Sequence, residues 1–164
     1  MRAKLYSIRE LPAGQISIMA RPRGGDWLLD EVKSLREAGV DVLVSLLTPE
    51  EVWELDLSEE AQYCSHQGII FVALPIQDRS VLPFSDDTFK FLEQLNQYLF
   101  EGKHVALHCR QGLGRAALVA ASLLVQRGYS PDQAFDLLSK ARGYPVPETE
   151  EQKAWVVAFF QRIK

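Results

Sequence analysis

The chain is poor in cysteine, in long apolar runs and in clustered positive charge. Cys64 and Cys109 are its two cysteines, so we expect no framework of structural disulfides, and a reducing cytoplasm fits best. No run approaches the roughly 20 apolar residues of a membrane span. Residues 1–8 lack the apolar core of a signal peptide, and residues 161–164 form no lipidation box, so no membrane anchor is expected. The net charge of −4, without a lysine- or arginine-rich run, argues against nucleic acid as a partner.

Repeats, linkers and low-complexity tracts are also absent from the sequence. Hydrophobic residues make up 47% and charged residues 24% of the chain, which is typical of a globular protein. A chain of this length can bury about 70% of its unfolded surface, which is enough for a core without disulfides or structural metals. We therefore expect residues 1–164 to form a single domain.

Short apolar runs alternate with helical patterns along the chain. We expect residues 15–20 to form an edge strand, and the runs 41–47, 69–74 and 104–107 to form strands that are covered on both faces. Helices are predicted over residues 27–38, 49–55, 58–64, 86–101, 115–127 and 131–143, with a last helix after Thr149. The helix from residue 115 is apolar on all sides, which predicts a buried central helix. This order predicts an α/β fold: a single domain with a mixed central β-sheet flanked by helices.

The turn before the first predicted helix is basic and aromatic. Asp26 is expected to cap that helix, and Trp27 is expected to pack in the core. Arg21 and Arg23 have two open interpretations, as residues that line a functional cleft or as ordinary solvated side chains. Glu31 is expected on the solvated face of the helix.

One run places a thiol, two glycines and two arginines between a predicted strand and the central helix. Its sequence is His108-Cys109-Arg110-Gln111-Gly112-Leu113-Gly114-Arg115. Gly112 and Gly114 lack a Cβ and allow the backbone to curl tightly around a tetrahedral anion. Backbone N–H groups and the positive end of the following helix can face that anion, and Arg115 can add two parallel hydrogen bonds. The pattern predicts an oxyanion site with Cys109 at its base.

This run resembles the signature of the cysteine-dependent protein tyrosine and dual-specificity phosphatases, in which His and Cys are followed by five residues and Arg. The resemblance implies a phosphate-binding loop whose nucleophile, Cys109, forms a phosphocysteine intermediate. It implies that His108 supports the loop and tunes the thiolate, without acting as an acid or base. The residues implied in substrate binding are Arg110, Gln111, Gly112, Leu113, Gly114 and Arg115. The other interpretation of Cys109 is a buried apolar thiol, which its charged neighbours disfavour.

The resemblance also implies a general acid on a movable loop, and Asp78 fits this role. It follows the apolar run 69–74 within a proline-bounded loop. Arg79, directly after it, is a candidate for substrate contact. Asp86 and Asp87 are rivals, but they follow a predicted helix start and are better explained as first-turn acids. Asp78 has a purely structural alternative as well, as a turn aspartate that bonds to its own backbone.

Two further positions are interpreted through the resemblance. Gln152 resembles the family's glutamine that positions the hydrolytic water, although with Thr149 it also has the spacing of a capping box. Ala116 occupies a position where most members carry Ser or Thr, whose hydroxyl assists the departing sulfur. The phosphatases of regenerating liver share this alanine. The resemblance therefore implies slow breakdown of the phosphocysteine.

The main hypothesis is a compact protein phosphatase that acts on phosphotyrosine, with phosphoserine and phosphothreonine left open. One alternative is a phosphoinositide or RNA 5′-phosphate phosphatase, which the charge of Arg110 favours. Another is a low-turnover module that binds phosphorylated residues, which Ala116 favours. A rhodanese-type sulfurtransferase is disfavoured, because its loop is typically shorter and lacks the terminal arginine.

No cofactor is implied by the sequence. The histidines His66, His104 and His108 show no metal-ligand spacing with carboxylates or thiols, so no metal site is expected. The expected partner is a phosphorylated protein substrate. The oligomeric state and a redox role for Cys64 are left open, with a buried spectator thiol preferred for Cys64.

Overall fold

The computed structural model describes residues 4–8 and 11–164. Residues 1–3, part of the segment that is expected to lack a signal peptide, lie outside the described residues. Within the described part, the strands are Tyr6–Ile8 (β1), Gln15–Met19 (β2), Val42–Ser45 (β3), Ile70–Ala73 (β4) and His104–His108 (β5). The α-helices of the same part are Leu28–Glu37 (α1), Pro49–Glu54 (α2), Glu60–His66 (α3), Asp86–Phe100 (α4), Arg115–Gln126 (α5), Pro131–Arg142 (α6) and Glu150–Ile163 (α7).

The strands form one mixed sheet in the order β1-β2-β5-β3-β4. β1 pairs with β2 in antiparallel orientation, and parallel pairings join β2, β5, β3 and β4. The α/β fold with a mixed central sheet is therefore confirmed. The prediction of an edge strand at residues 15–20 is wrong, because β1 covers the outer side of β2. With three residues, β1 is too short for a clear alternating pattern in the sequence.

The opposite edge of the described sheet is β4. The expectation that this strand is covered on both faces is wrong: Ile70 and Ala73 are exposed, and Phe71 and Val72 are half-buried. β4 pairs with β3 on one side, and α3 packs against it. A continuous apolar run is therefore compatible with a partly exposed edge strand as well as with a central one.

Alternation along the central strands sends side chains into two apolar cores. In β3, Val42 and Val44 join a larger core with α4, α5, α6 and α7, whereas Leu43 joins a smaller core with α1 and α3. The same division separates Val105 from Ala106 in β5. Burial of this apolar surface stabilises the fold by about 25 cal/mol per Å². The central strands are thus covered on both faces, as predicted.

The helix that begins at the end of the run 108–115 is the centre of the larger core. Every residue from Arg115 to Val125 in α5 is buried, which agrees with the predicted central helix. Small side chains, including Ala116 and Ala120, let neighbouring elements approach it closely. Although α5 is apolar, none of the helices in the described residues is both long and apolar enough to cross a membrane.

Three of the predicted helix starts, those of α2, α6 and α7, have full capping boxes. The side chain of Ser130 accepts a hydrogen bond from the N–H of Gln133, and the Gln133 side chain accepts from the N–H of Ser130. Thr149 and Gln152 make the same reciprocal pair at the start of α7. These bonds satisfy backbone donors that a helix otherwise leaves unpaired.

The turn before α1 differs from its prediction. Asp26 is not the cap, because it lies inside a short 3₁₀ turn, Gly25–Trp27, that precedes the helix. Trp27 is 57% exposed and does not pack in the core. The guanidinium of Arg23 lies 4.4 Å from the indole centroid and donates to Glu31 at 2.9 Å. Glu31 is 3% exposed, so its predicted solvated position is also wrong. Arg23 therefore contacts both Trp27 and Glu31. Local sequence patterns do not predict these contacts.

Candidate active site

The carboxyl ends of the parallel strands meet at one edge of the sheet. In the strand register, His108 lies between Met19 of β2 and Ser45 of β3, so the segments after these strands leave the sheet side by side. A cleft of about 160 Å³ opens at this edge. Its lining residues are Asp78, Arg79, Cys109, Arg110, Gln111, Leu113, Gly114, Arg115 and Glu148. The fold thus brings the predicted nucleophile, arginine and general acid together.

Cys109 lines this cleft, with 3% of its surface exposed. The backbone N–H of Gly112 donates to its Sγ at 3.2 Å. A donor so placed suits an anionic sulfur. Gly112 has a φ of +76°, and a Cβ there would lie 2.8 Å from the carbonyl of Met19. Both the backbone conformation and the lack of space therefore require glycine at this position, as the predicted tight loop does.

Arg115 begins α5, and its side chain is buried at the cleft. The guanidinium donates to the two carboxylate oxygens of Glu51, at 2.6 and 3.0 Å, and to the carbonyl of Ile76 at 2.9 Å. Its Nη2 also lies 3.3 Å from Oδ1 of Asp78. Among the described residues, the buried Nε of Arg115 has no hydrogen-bond partner. Because buried donors are normally paired, this one is available to an oxygen of a bound anion.

Opposing effects set the charges of Glu51 and Arg115. Burial raises the pKa of Glu51, but hydrogen bonds from Arg115 and from the N–H of Thr48 outweigh it and lower the pKa to about 2. Burial lowers the pKa of Arg115, but its hydrogen bonds to Glu51 and the negative charge of Cys109 hold the pKa above its ordinary value. Both groups are therefore charged at neutral pH, and Glu51 holds the guanidinium by two parallel hydrogen bonds.

Asp78 lies at the rim of the cleft, with 60% of its side chain exposed. Arg79 follows it with a φ of +63°, and its guanidinium lies 3.2 Å from the carboxylate of Glu148. This ion pair joins the loop after β4 to the segment before α7. Asp86 and Asp87 occupy the first turn of α4, as predicted, and they do not line the cleft. Mobility of the Asp78 loop stays a prediction.

Gln152 is buried beside the cleft without lining it. Its amide oxygen accepts from the N–H of Thr149 and its Nε2 donates to the carbonyl of Ser80, both at 3.1 Å. A Cβ on Gly114 would lie 2.9 Å from that Nε2, so a larger residue there would have to displace the Gln152 side chain. The capping box is therefore present, and Gln152 also ties α7 to the Asp78 loop. Its role in positioning water stays a prediction.

The other loop residues are fixed by contacts outside the loop. Nε of Arg110 lies 3.3 Å from Glu51, and its Nη2 lies 3.4 Å from Glu54. The carbonyl of Gln111 accepts a hydrogen bond from Nη2 of Arg142 at 3.3 Å. The positive charge of Arg110 is thus matched by two carboxylates of α2.

His108 is buried at the end of β5. Its Nε2 lies 2.7 Å from Oε2 of Glu60, which is buried too, and its Nδ1 lies 3.4 Å from the carbonyl of Cys109. The ring is therefore placed between a carboxylate and the loop, and its part in tuning the thiolate stays a prediction. His104, by contrast, contacts the hydroxyl of Ser17 at 2.6 Å.

The second cysteine, Cys64, is buried on α3 in the smaller core. Burial, reinforced by the charge of Glu60, raises the pKa of its thiol to about 12. Disulfide formation proceeds through a thiolate, so this thiol is a poor partner for oxidative exchange. These properties support the preferred interpretation of Cys64 as a spectator.

Three carboxylates near the site, Glu51, Glu60 and Glu148, were not predicted from the sequence. Glu51 carries a usable signal, because Thr48 and Glu51 have the spacing of a capping box, which the structure contains. That signal locates a helix start and not a partner for Arg115. Glu60 and Glu148 lie in polar stretches that are typical of solvated surface. Their roles depend on contacts between segments that are distant in the chain.

A family model described as "Tc-R-P: Polymorphic toxin system, DSP-PTPase phosphatase" matches residues 17–129 of the chain. Among curated proteins, cyclin-dependent kinase inhibitor 3 of Rattus norvegicus is 27% identical over 135 residues, which cover 81% of this chain. The match covers 63% of the rat protein, so the chain spans less than two thirds of the length of that relative.

Solved structures share the whole fold. The kinase associated phosphatase (KAP) with its catalytic site cysteine substituted by serine gives a TM-score of 0.88 at 22% identity, covering 99% of this chain and 97% of that one. Tk-PTP in the active form gives a TM-score of 0.73 at 25% identity, covering 98% and 97%. Since the family match spans more than half of the residues, this chain belongs to the dual-specificity and protein tyrosine phosphatase (DSP-PTPase) family.

Proposed function

We propose that this chain is a cysteine-dependent protein phosphatase that hydrolyses phosphotyrosine monoesters through a phosphocysteine intermediate, with phosphoserine and phosphothreonine as further substrates. Arg115 binds the phosphate, Cys109 attacks phosphorus and Asp78 is the general acid. The observation that supports this proposal is the meeting of these three side chains in one cleft, where the arginine has an unused buried donor. The chemistry requires a reduced thiol, which fits the cytoplasm as its place of action.

The reaction proceeds in two balanced steps. The thiolate of Cys109 attacks phosphorus, and an S–P bond forms as the P–O bond to the leaving group breaks. Asp78 gives its proton to the departing oxygen. Water then attacks the phosphocysteine, the carboxylate of Asp78 takes a proton from that water, and the thiolate departs from inorganic phosphate. The ester and water supply every atom of the products.

Substrate binding itself prepares the general acid. Asp78 lies 3.3 Å from Nη2 of Arg115, a donor that a phosphate oxygen can use. A bound phosphate dianion takes over this donor, and this frees the carboxyl group of Asp78 to face the leaving oxygen.

The charges at the rim favour one phosphate on a protein over a polyanionic substrate. Glu51 matches the charge of Arg115, Glu54 that of Arg110 and Glu148 that of Arg79. These carboxylates repel the additional phosphates of a phosphoinositide or an RNA end. KAP is named for association with a kinase, and we extend that class of substrate, a phosphorylated protein, to this chain.

A specific observation favours one second function, a receptor that binds phosphorylated residues with little turnover. Ala116 follows the motif arginine and is buried on α5, so it offers a methyl group where a hydroxyl assists the departing sulfur in most members. Slow release of the phosphocysteine would prolong the bound state. Kinetics distinguish the two functions.

Rapid mixing of an aryl phosphate with the wild type and Cys109→Ser tests the proposal. We expect a stoichiometric burst of the aryl alcohol and then a slow steady phase in the wild type, with neither in the variant. Asp78→Asn should lower the rate of the burst by about 10²–10⁴ for esters with poor leaving groups, and less for good ones. Phosphotyrosine, phosphoserine and phosphothreonine peptides should be hydrolysed in preference to a phosphoinositide.

Cys64→Ser is the matched control, because it removes the other thiol without touching the cleft, and it should keep the burst. Hydrolysis by Cys109→Ser at the rate of the wild type would contradict the assignment of Cys109 as the nucleophile. Tight phosphopeptide binding by the wild type and by Cys109→Ser, without product release by the wild type, would contradict the enzyme proposal and favour the receptor function.

A further inference from the structure

Glu60, a buried carboxylate outside the cleft lining, contacts the residue before the nucleophile. We propose that Glu60 is a positioning residue: it holds His108 as an imidazolium whose Nδ1–H fixes the carbonyl of Cys109 at the base of the phosphate-binding loop. This inference rests on the proposed function, because it concerns the reactivity of Cys109. It assigns to α3 a part in the chemistry of the cleft.

The contact between Glu60 and His108 is short and screened from water. Oε2 of Glu60 lies 2.7 Å from Nε2 of His108, and their side chains are 2% and 0% exposed. The two residues are 48 positions apart in the chain, so α3 brings the carboxylate to the end of β5. Hydrogen bonds of this length are typical of pairs in which a donor or acceptor carries charge.

The proposed imidazolium rests on the geometry of the ring, because both of its nitrogens face an oxygen. Nε2 of His108 faces the carboxylate of Glu60, and Nδ1 faces the carbonyl of Cys109 at 3.4 Å. A neutral imidazole carries one N–H, so it would direct a lone pair at one of these two acceptors. An imidazolium donates to both. Burial of that cation is favourable only beside a counter-charge, and Glu60 supplies it.

The elements packed around α3 offer no rival partner to this pair within the described residues. β4, which contacts α3, carries the apolar run Ile70–Ala73. On α1, which also contacts α3, the buried Glu31 is bound by Arg23. Cys64, on α3 itself, is a neutral thiol at neutral pH because its pKa is about 12. The charge of Glu60 is therefore balanced by His108.

The phosphate-binding loop thus has a buried ion pair at each end. Glu51 holds Arg115 at the carboxyl end of the loop, and Glu60 holds His108 directly before its first residue. His108 lies next to Cys109 in the sequence, and Arg115 lines the same cleft as Cys109. A positive charge on either side chain favours a negative charge on the sulfur. Loss of the charge of Glu60 should therefore change how readily Cys109 exists as a thiolate.

Glu60→Gln tests this, because glutamine keeps the size and hydrogen-bonding capacity of the side chain but removes its charge. His108 then loses its second proton. We measure alkylation of Cys109 by iodoacetamide against pH, and the pH profile of kcat/KM. Alkylation near pH 5.5 should fall about tenfold relative to its value at about pH 9, and the acidic limb of kcat/KM should rise by about one pH unit. Collapse of the loop would slow alkylation at every pH instead.

Glu31→Gln is the matched control, since it removes another buried carboxylate that is bound to a basic side chain and does not line the cleft. It should lower the free energy of unfolding and leave both pH profiles unchanged. Glu60→Gln added to His108→Gln should cause no further shift, because the imidazolium through which Glu60 acts is already absent.

An unchanged pH profile in a folded Glu60→Gln, with normal turnover by the wild type, would overturn the role of Glu60 and leave the phosphatase proposal intact. Absence of turnover by the wild type would instead contradict the proposed function. If Glu60→Gln does not fold, ¹⁵N NMR of the wild-type histidines decides. Both nitrogens of His108 should carry protons at about pH 7, where a free histidine is mostly neutral, and a bare Nδ1 would overturn the proposal.

Discussion

At the scale of single residues, Glu51 holds Arg115, the proposed phosphate-binding residue, by two hydrogen bonds. Its pKa in the folded protein is about 2, against an ordinary value of 4.5, because hydrogen bonds from Arg115 outweigh the effect of burial. A carboxyl with a lowered pKa stabilises the fold fully above its unfolded pKa, and this contribution disappears as the pH falls through the folded pKa. Glu51 should therefore contribute stability that declines between pH 4.5 and about 2.

Glu51→Gln should lower the free energy of unfolding at neutral pH by about 3–5 kcal/mol, since it leaves the buried guanidinium of Arg115 without its counter-charge. The loss of stability on acidification should also become shallower than in the wild type. Urea unfolding across the acidic range measures both effects. Glu54→Gln is the control: its carboxylate is exposed and pairs with Arg110, so its removal should cost no more than about 1 kcal/mol. Equal acid dependence in the wild type and Glu51→Gln would contradict this account.

At the scale of elements, the start of α7 has two functions. The capping box of Thr149 and Gln152 satisfies the first turn, and the same Gln152 side chain donates to the carbonyl of Ser80 in the Asp78 loop. Trp155, one turn further along α7, donates to the carbonyl of Leu82 in that loop at 2.8 Å. The helix therefore holds the Asp78 loop at successive points.

Thr149→Ala and Ser130→Ala should each lower the free energy of unfolding by about 1 kcal/mol, because each removes one capping side chain. Thr149→Ala should also lower kcat by about tenfold, because the backbone N–H of Gln152 loses the Thr149 hydroxyl as its acceptor and small displacements of a catalytic group are costly. Ser130 caps α6 at the end opposite to Arg142, which contacts the loop, so its variant should keep kcat. Equal kcat values in the two variants would show that the start of α7 does not control the position of Asp78.

At the scale of the whole molecule, occupancy of the cleft should stabilise the fold. A ligand that binds only the folded state raises its stability by about 2.7 kcal/mol at 100 times its Kd. For a chain of this size that corresponds to a rise in Tm of roughly 5–10 °C. Tungstate, a tetrahedral oxyanion, should produce this rise in the wild type, and sodium chloride of equal ionic strength should not.

Arg115→Lys should abolish the tungstate effect, because an ammonium cannot reproduce the two parallel hydrogen bonds of a guanidinium. Thermal unfolding followed by circular dichroism, with and without tungstate, measures the difference. Cys64→Ser should keep the full rise in Tm. A rise of equal size in Arg115→Lys would show that the anion binds elsewhere.

Local patterns in the sequence predict much of this molecule. The α/β order of elements, the buried helix α5 and the capping boxes of α6 and α7 all follow from periodicity and residue chemistry within a few turns of chain. The loop from Cys109 to Arg115 is contiguous, so its glycines and its arginine are visible together. Asp78 was located by the strand and prolines beside it.

What the tertiary structure alone decided concerns partners that are distant in the chain. Glu51 reaches Arg115 across 64 residues and Glu60 reaches His108 across 48, and each is an ordinary acidic helix residue in the sequence. The same holds for β1, whose three residues make β2 an inner strand, and for Arg23, which draws Glu31 into a buried pair. Sequence by itself determined where the reactive groups lie along the chain. Only the packing of α2, α3 and α7 around the loop decided which buried charges compensate them, because a carboxylate is stable inside a protein only where the fold supplies its counter-charge.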